Sequence, residues 1–258
     1  MAFNYAGNLG GAGAPVIRRF QTNESLYVGS FVQSVGAGGQ VEKLNVPTNL
    51  NETGTHPLGV VTGIVDDSRA YVASVSGTAG YGDMTTYTAT QSVVKSTGIS
   101  EVEVCLAIPG VTLFKAPIYR TVWGTALQEL TCAAENSAGT SMVATAANTA
   151  DVGNVLGMLY CRSGANRGHY RTIASVSTVT FAVTVPFPNT IAAGDTFVSV
   201  SCLLGFGNLM STAAADCING DLTGADGHSV YFHEINLEES GKEYAVFCLW
   251  GGVAPAAA

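Results

Sequence analysis

The stretch EVEVCLAIPGVTLFKAP, residues 101–117, decides the fold class of this chain. Its first eight residues alternate with period two, which is the side-chain spacing of a strand rather than of a helix. Pro109 and Gly110 then turn the chain, and Pro117 excludes a helix from the second half. The stretch therefore predicts two strands joined by a turn. The first strand has two predicted faces, with Val102, Val104, Leu106 and Ile108 on one side and Glu101, Glu103, Cys105 and Ala107 on the other.

The same strand-like sequence pattern continues on both sides of this stretch. Runs of β-branched and aromatic residues alternate with Gly-rich breaks, and the 258 residues include 31 glycines. Apolar residues make up 47% of the chain and charged residues 12%, a composition unlike that of a disordered chain. No repeat of 20–50 residues and no long helical stripe is visible. The sequence predicts a mostly β protein of two β-rich modules, each a barrel or sandwich, with an extended N-terminal arm.

Changes in composition predict five segments along the chain. Residues 1–20 are a Gly- and Ala-rich arm, and 21–124 form an N-terminal β-barrel-like module. Residues 125–150 are dominated by small side chains and are predicted to be a linker or a short helical excursion. A C-terminal β module follows at 151–251, and residues 252–258 form a flexible tail.

Local patterns refine this division. Two short helices are possible, one at about 125–135, where a loop throughout is the alternative, and one at 208–218. The last two strand-like runs, HSVYFHEINLEE and EYAVFCLW, are separated by SGK. They are predicted to pair as a hairpin with a short connection.

The charge pattern bears on which partners the chain could have. The net charge is −8, and the 11 Lys and Arg residues are scattered, so a phosphate-binding surface and a nucleic-acid partner are not expected. No apolar window approaches the length of a membrane span, and the N-terminus lacks the pattern of a signal peptide. A broad, mostly neutral contact surface fits this composition best.

The six cysteines show no CxxC pair. Four of them lie in strand-like runs, which favours buried free thiols that act as small hydrophobic groups. Disulfides or a metal cluster are the alternatives.

A search for catalytic and metal motifs gives mostly negative results. The chain has no GxxxxGK[ST], GxSxG or HExxH motif, and nothing in the sequence joins its four histidines to a nucleophile. The chain is therefore not expected to be an enzyme or to need a cofactor or a metal. The best metal candidate, a possible calcium loop in residues 216–234, is interpreted as a polar turn. Its oxygen- and nitrogen-bearing residues are Asp216, Asn219, Asp221, Asp226, His228, His233 and Glu234.

Three arginines flank one turn of the second module. Arg162, Arg167 and Arg171 could bind an anion, but such residues more often hold loops through backbone carbonyls or carboxylates. The second interpretation is favoured here.

Two parts of the chain resemble structural proteins of tailed phages. The N-terminal module has a PLGV strand and then a PGV..L.KA strand near its end, an order similar to that of the small β-barrel capsid decoration, or cement, proteins. Residues 164–197 have a hairpin-like sequence pattern that resembles segments of phage head and tail proteins. The two similar regions cover about 130 residues. The motif residues are Pro57, Leu58, Gly59, Val60, Pro109, Gly110, Val111, Leu113, Lys115 and Ala116.

The resemblance implies a decoration protein on the exterior of the capsid, assembled in the host cytoplasm. Its partners would be the major capsid protein and other copies of itself, as a homotrimer, and it would stabilise contacts between capsomers. A tail, baseplate or fibre subunit, with glycan binding as one option for it, is the main alternative, and a hydrolase with an unrecognised site is a third.

The arm is expected to contact the shell or a neighbouring subunit. Deleting residues 2–20 is expected to weaken shell binding and leave the fold intact. The residues proposed for the contact are Phe3, Tyr5, Arg18, Arg19 and Phe20.

Overall fold

The computed structural model describes most of the chain as strands and turns. One short 3-10 turn, Gly164–Asn166, is the only helical element among the described residues, none of which forms a helix long and apolar enough to cross a membrane. The prediction of a mostly β fold is confirmed. The described residues are 3–11, 13–22, 26–35, 40–44, 57–64, 71–72, 75–77, 87–89, 92–93, 100–119, 127–147, 157–200, 206–207, 209–211, 216–219 and 230–249.

The strands are short, and most are antiparallel to their neighbours. In chain order they are β1 Asn4–Asn8, β2 Ile17–Thr22, β3 Leu26–Tyr27, β4 Phe31–Val35, β5 Gln40–Lys43, β6 Pro57–Ile64, β7 Tyr71–Val72, β8 Val75–Gly77, β9 Tyr87–Ala89, β10 Ser92–Val93, β11 Ser100–Leu106, β12 Thr112–Tyr119, β13 Leu130–Thr131, β14 Ser141–Val143, β15 Met158–Cys161, β16 Tyr170–Val176, β17 Thr180–Val183, β18 Thr196–Val200, β19 Phe206–Gly207, β20 Leu209–Ser211, β21 Asp216–Asn219, β22 Val230–Asn236 and β23 Tyr244–Leu249. Two small sheets, β3–β10–β7 and β8–β9, are separate from the three larger ones in their strand pairing, although Leu26 of β3 is buried in the barrel core.

The first large sheet is a closed barrel with the order β11–β2–β5–β4–β6. Val102 and Val104 of β11 are buried in its core, as the period-two pattern predicts. The pattern then breaks down, because Ile108 is exposed while Cys105 and Ala107 of the opposite face are buried in a second core. The residues of β11 and of the segment that follows it therefore pack into two different cores.

The second sheet has β12 at its centre. Its order is β19–β22–β23–β12–β21–β20, and β1 pairs with β12 as well. β22 and β23 form the predicted hairpin. The core on this sheet is rich in phenylalanine. The rings of Phe3 and Phe31 are 5.2 Å apart, those of Phe3 and Phe247 are 5.7 Å apart, and both pairs meet edge to face.

The third sheet, β13–β18–β15–β16–β17–β14, curls until its first and last strands meet. The N–H of Ala133 donates to the carbonyl oxygen of Val143 at 2.7 Å, and the N–H of Thr145 donates to that of Thr131 at 2.8 Å. β13 and β14 lie in the segment 125–150, where a short helix was one expectation. The described residues there form strands and turns instead, because Leu130 and Met142 are buried in the core of this sheet.

Strand pairing does not follow the predicted module boundaries. β23, from the predicted C-terminal module, pairs with β12 of the N-terminal one. Met158, Tyr160, Val198 and Val200 of the third sheet are buried in the same core as the phenylalanines. The curled sheet is therefore an insertion between two parts of the β12 sheet, joined to it by a common core.

The N-terminal segment is built into the fold. β1 pairs antiparallel with β12, and β2 is a barrel strand. The expectation that residues 2–20 could be deleted without harm to the fold is wrong, since that deletion removes β1, four of the six residues of β2 and the buried Phe3. The possible helix at 208–218 is also absent, because β20 and β21 occupy the described part of that range. The predicted tail at 252–258 lies outside the described residues.

Candidate interaction surface

Two of the five residues predicted to contact a partner face the interior of this chain. The side chain of Phe3 is 1% exposed and is surrounded by other phenylalanines. Tyr5 is half-buried, packs on the same core and donates its hydroxyl to the carbonyl oxygen of Gly13 at 3.5 Å. Their structural role is to fasten the N-terminal segment to its own sheet. Phe3 has almost no surface to offer to a neighbour.

The other three residues lie on β2. Arg18 and Arg19 are exposed, whereas Phe20 is half-buried against the barrel core. The Nε atom of Arg19 is 3.5 Å from Oε1 of Glu103 on β11, an exposed pair that contributes little to stability. The basic pair is therefore the part of the predicted contact set that remains open to solvent.

Large exposed apolar side chains gather beside this basic pair. Five of the eight such residues in the described part of the chain lie on two neighbouring segments, 9–17 and 108–111. Each is between 36% and 45% exposed. Exposed apolar groups concentrated on neighbouring segments are typical of interaction sites. We call them the apolar patch: Leu9, Val16, Ile17, Ile108 and Val111.

Backbone hydrogen bonds join the two segments of the apolar patch. The N–H of Leu9 donates to the carbonyl oxygen of Val111 at 2.8 Å, and the N–H of Leu106 donates to that of Val16 at 2.8 Å. The turn itself is held by Thr112, whose hydroxyl donates to the carbonyl oxygen of Leu106 and accepts the N–H of Ile108, both at 3.1 Å. The patch is thus displayed on a preorganised turn, which lowers the entropic cost of binding.

The backbone conformation of this turn explains why it contains a glycine. Gly110 has a φ of +70°, a left-handed conformation that other residues adopt at a cost. Its N–H donates to the carbonyl oxygen of Leu249 at 3.0 Å, which ties the turn to β23. The apolar patch therefore rests on the sheet that carries the largest core.

The apolar patch was not predicted from the sequence, although the sequence contains a signal for it. Ile108 and Val111 flank the Pro109–Gly110 turn, where polar residues are the rule. Apolar side chains at a turn without an obvious core partner indicate a contact surface. The patch also needs Leu9 and Val16, which only tertiary pairing brings to that turn.

The arginine cluster of the second module is structural at two of its three positions. Arg162 is buried, donates from Nε to the carbonyl oxygen of Leu237 at 2.8 Å, and forms ion pairs with Glu129 at 3.2 Å and with the fully buried Glu243. Arg171 donates to the carbonyl oxygens of Pro186 and Tyr170 at 2.9 and 2.7 Å. The interpretation that these residues hold loops is confirmed for both.

The candidate metal loop is only partly described. Within the described residues no group of three or more His, Cys, Asp or Glu side chains is placed to hold a metal ion, and 220–229 lie outside them. Nε2 of His233 is 3.4 Å from Sγ of Cys248. Burial raises the pKa of the Cys248 thiol and desolvation lowers the pKa of His233, so both groups favour their neutral forms. A buried, protonated thiol is a poor nucleophile.

The other described cysteines agree with their predicted role. Cys105, Cys132 and Cys161 are buried and free, as Cys248 is. Burial raises the pKa of Cys161 from its ordinary 9.0 to about 11. Cys161 is therefore protonated at neutral pH, and all of these buried thiols act as packing groups. The side chains of Cys202 and Cys217 lie outside the described part of the structure.

In comparisons with known proteins, no family model, curated protein or solved structure matches this chain. Its function must be inferred from its own surface. That surface combines an apolar patch with a basic pair, in a chain of net charge −8.

Proposed function

We propose that this chain is a structural protein of a tailed-phage virion, a decoration protein that binds the outside of the capsid and stabilises contacts between capsomers. The apolar patch is the observation that carries the proposal. Five exposed aliphatic side chains, two at a hydrogen-bonded turn and three on the segment paired beside it, suit a permanent contact with another protein better than they suit solvent. The resemblance of the PLGV and PGV..L.KA strands to those of tailed-phage decoration proteins supports a phage capsid as the particle.

The rest of the molecule is compatible with this role. Closure of the barrel and curling of the third sheet reduce the number of open strand edges among the described residues, which limits aggregation of a protein present in many copies. Low total charge fits a broad neutral interface. Many weak contacts on a repeating shell add through multivalency, so a modest patch on each copy is enough. The proposed partners are the major capsid protein and two further copies of this chain.

The first test asks where the chain lies on a particle. Virions of the phage that encodes the chain are purified on a density gradient and labelled with a gold-conjugated antibody against it. We expect label over the capsid exterior and a trimer mass, three times 26.5 kDa, for the recombinant protein by light scattering. Label on the tail alone would establish the tail alternative, and absence of the chain from purified virions would contradict both.

The second test asks whether the apolar patch makes the contact. Shells stripped of the chain are incubated with wild-type protein and with the variants Ile108→Asp and Val111→Asp. We expect each variant to lose roughly tenfold or more in affinity, because a carboxylate in an apolar interface must be desolvated. Val185→Asp is the matched control, since Val185 is 59% exposed and lies two residues after β17, outside the patch. Equal binding by all four proteins would reject the patch as the contact.

A further inference from the structure

Among the described strands, β2 has a neighbour along its whole length on one side only. β11 pairs antiparallel with all six of its residues, from Ile17 opposite Cys105 to Thr22 opposite Ser100. On the other side β5 pairs in parallel with its last two residues alone, Gln21 and Thr22. Among the described strands, none pairs with the open side of residues 17–20.

The hydrogen-bond phase shows which backbone groups face the open side. Bonds between antiparallel strands join opposite residues and alternate along the strand. The N–H of Leu106 donates to the carbonyl oxygen of Val16, so Arg18 and Phe20, two and four residues further on, also turn their backbone groups toward β11. The N–H and C=O groups of Ile17 and Arg19 therefore point to the open side.

These groups are accessible as well as correctly oriented. Ile17 is 41% exposed, and the side chain of Arg19 is 63% exposed. An exposed edge with free backbone polar groups is the template to which an extended segment adds as a further strand. The apolar patch borders this edge, because Val16 and Ile17 belong to both features.

The strand already paired with β2 indicates the chemistry of a second one. β11 has the sequence SEVEVCL, in which glutamate and valine alternate. Glu103 lies opposite Arg19 and makes the 3.5 Å ion pair, while Val102 lies opposite Phe20. A strand on the open side meets the same four side chains from the other direction. A strand with the same alternation sets a carboxylate on the face of Arg19 and an aliphatic group on the face of Phe20, as β11 does.

We infer that the open edge of β2, residues 17–20, binds an extended acidic–aliphatic segment of the partner protein by strand addition. A second copy of the same edge is a poor occupant, because antiparallel pairing would set Arg18 and Arg19 against the same two arginines. The inference deepens the proposed function and rests on it only for the origin of the segment, which would belong to the shell protein.

The test uses a synthetic peptide of known sequence. A capped peptide with the sequence of residues 100–106 and Cys105→Ser is titrated into the isotope-labelled full chain, up to about 1 mM, and followed by NMR. We expect shifts at the amides of Ile17 and Arg19, together with slower hydrogen exchange there. A peptide with lysine in place of both glutamates is the control and should bind at least roughly tenfold more weakly. Equal binding of the two peptides, or no shift, overturns the inference.

Two variants separate backbone pairing from charge. Arg19→Pro removes the outward N–H, and Arg19→Gln removes only the charge, so the proline variant should bind the acidic peptide more weakly than the glutamine variant. The double variant Arg18→Glu with Arg19→Glu should prefer the lysine peptide, a reversal that a misfolded protein would not show. Absence of that reversal counts against the inference even if Arg19→Pro disturbs the barrel.

The peptide titration tests the β2 edge and the particle assay tests the proposed function, so either claim can be rejected without the other. Peptide binding at the β2 edge without the chain on purified virions would reject the proposed function and keep the edge as a strand-binding site. Capsid binding that is unchanged in Arg19→Pro, with no peptide binding, would keep the proposed function and reject the edge.

Discussion

At the residue scale, Gly59 shows how closely two barrel strands approach. It lies on β6 opposite Leu106 of β11, and a Cβ atom at this position would overlap the backbone carbonyl oxygen of Cys105. Backbone cannot move aside as a flexible side chain can. We predict that Gly59→Ala lowers the free energy of unfolding by about 3 kcal/mol, measured by urea denaturation.

Gly63 on the same strand is the matched control for that change. Its added Cβ would lie 3.0 Å from Oε2 of Glu103, the mobile end of a half-buried side chain. Gly63→Ala should therefore change the free energy of unfolding by less than about 1 kcal/mol. Equal losses in the two variants would show that β6 and β11 do not approach as described.

At the element scale, the side chain that precedes β1 anchors this strand in the main core. Phe3 precedes β1 and is buried between Phe31 and Phe247. Truncation leaves a cavity the size of a ring in the main core. We predict that Phe3→Ala lowers the free energy of unfolding by about 3–5 kcal/mol, measured by urea denaturation.

Tyr5, within β1, provides the comparison. Its hydroxyl makes one long, exposed hydrogen bond to Gly13, so Tyr5→Phe should cost less than about 0.5 kcal/mol. If Phe3→Ala lowered the free energy of unfolding no more than Tyr5→Phe does, the N-terminal segment would be the separate arm that its composition predicts. The deletion of residues 2–20 could then be used to test shell binding without loss of the fold.

At the scale of the whole molecule, one buried ion cluster joins the curled sheet to the β12 sheet. Arg162 follows β15, whereas Glu243 and Leu237 belong to the β22–β23 region. Removing one partner leaves the other charge buried and uncompensated. We predict that Arg162→Ala lowers the free energy of unfolding by about 3–5 kcal/mol, measured by urea denaturation.

Two further variants decide whether the buried charge causes that loss. Arg162→Leu combined with Glu243→Leu should recover much of the stability, because no charge then remains buried. Lys242→Ala disrupts the exposed 2.9 Å pair with Glu239 and should cost less than about 1 kcal/mol. A double variant as unstable as Arg162→Ala would mean that packing, not charge, explains the loss.

Several features of the fold follow from the sequence alone. Period two at residues 101–108 and Pro117 predict strands, and the spacing of the last two apolar runs predicts the β22–β23 hairpin. The roles of Arg162 and Arg171 and the burial of four free thiols were also predicted correctly. Each depends on a residue's own chemistry or on neighbours a few positions away, which a sequence displays directly.

Tertiary structure alone decided the rest. Phe3 and Phe247 lie near opposite ends of the chain, and no local pattern shows that they meet. The strands β13 and β14 form in a segment of small residues because partners on β18 and β17 supply their hydrogen bonds. The apolar patch likewise exists only where residues 9–17 lie beside the Pro109–Gly110 turn. Pairing between distant strands depends on the burial that the whole chain achieves, and short-range periodicity carries no information about it.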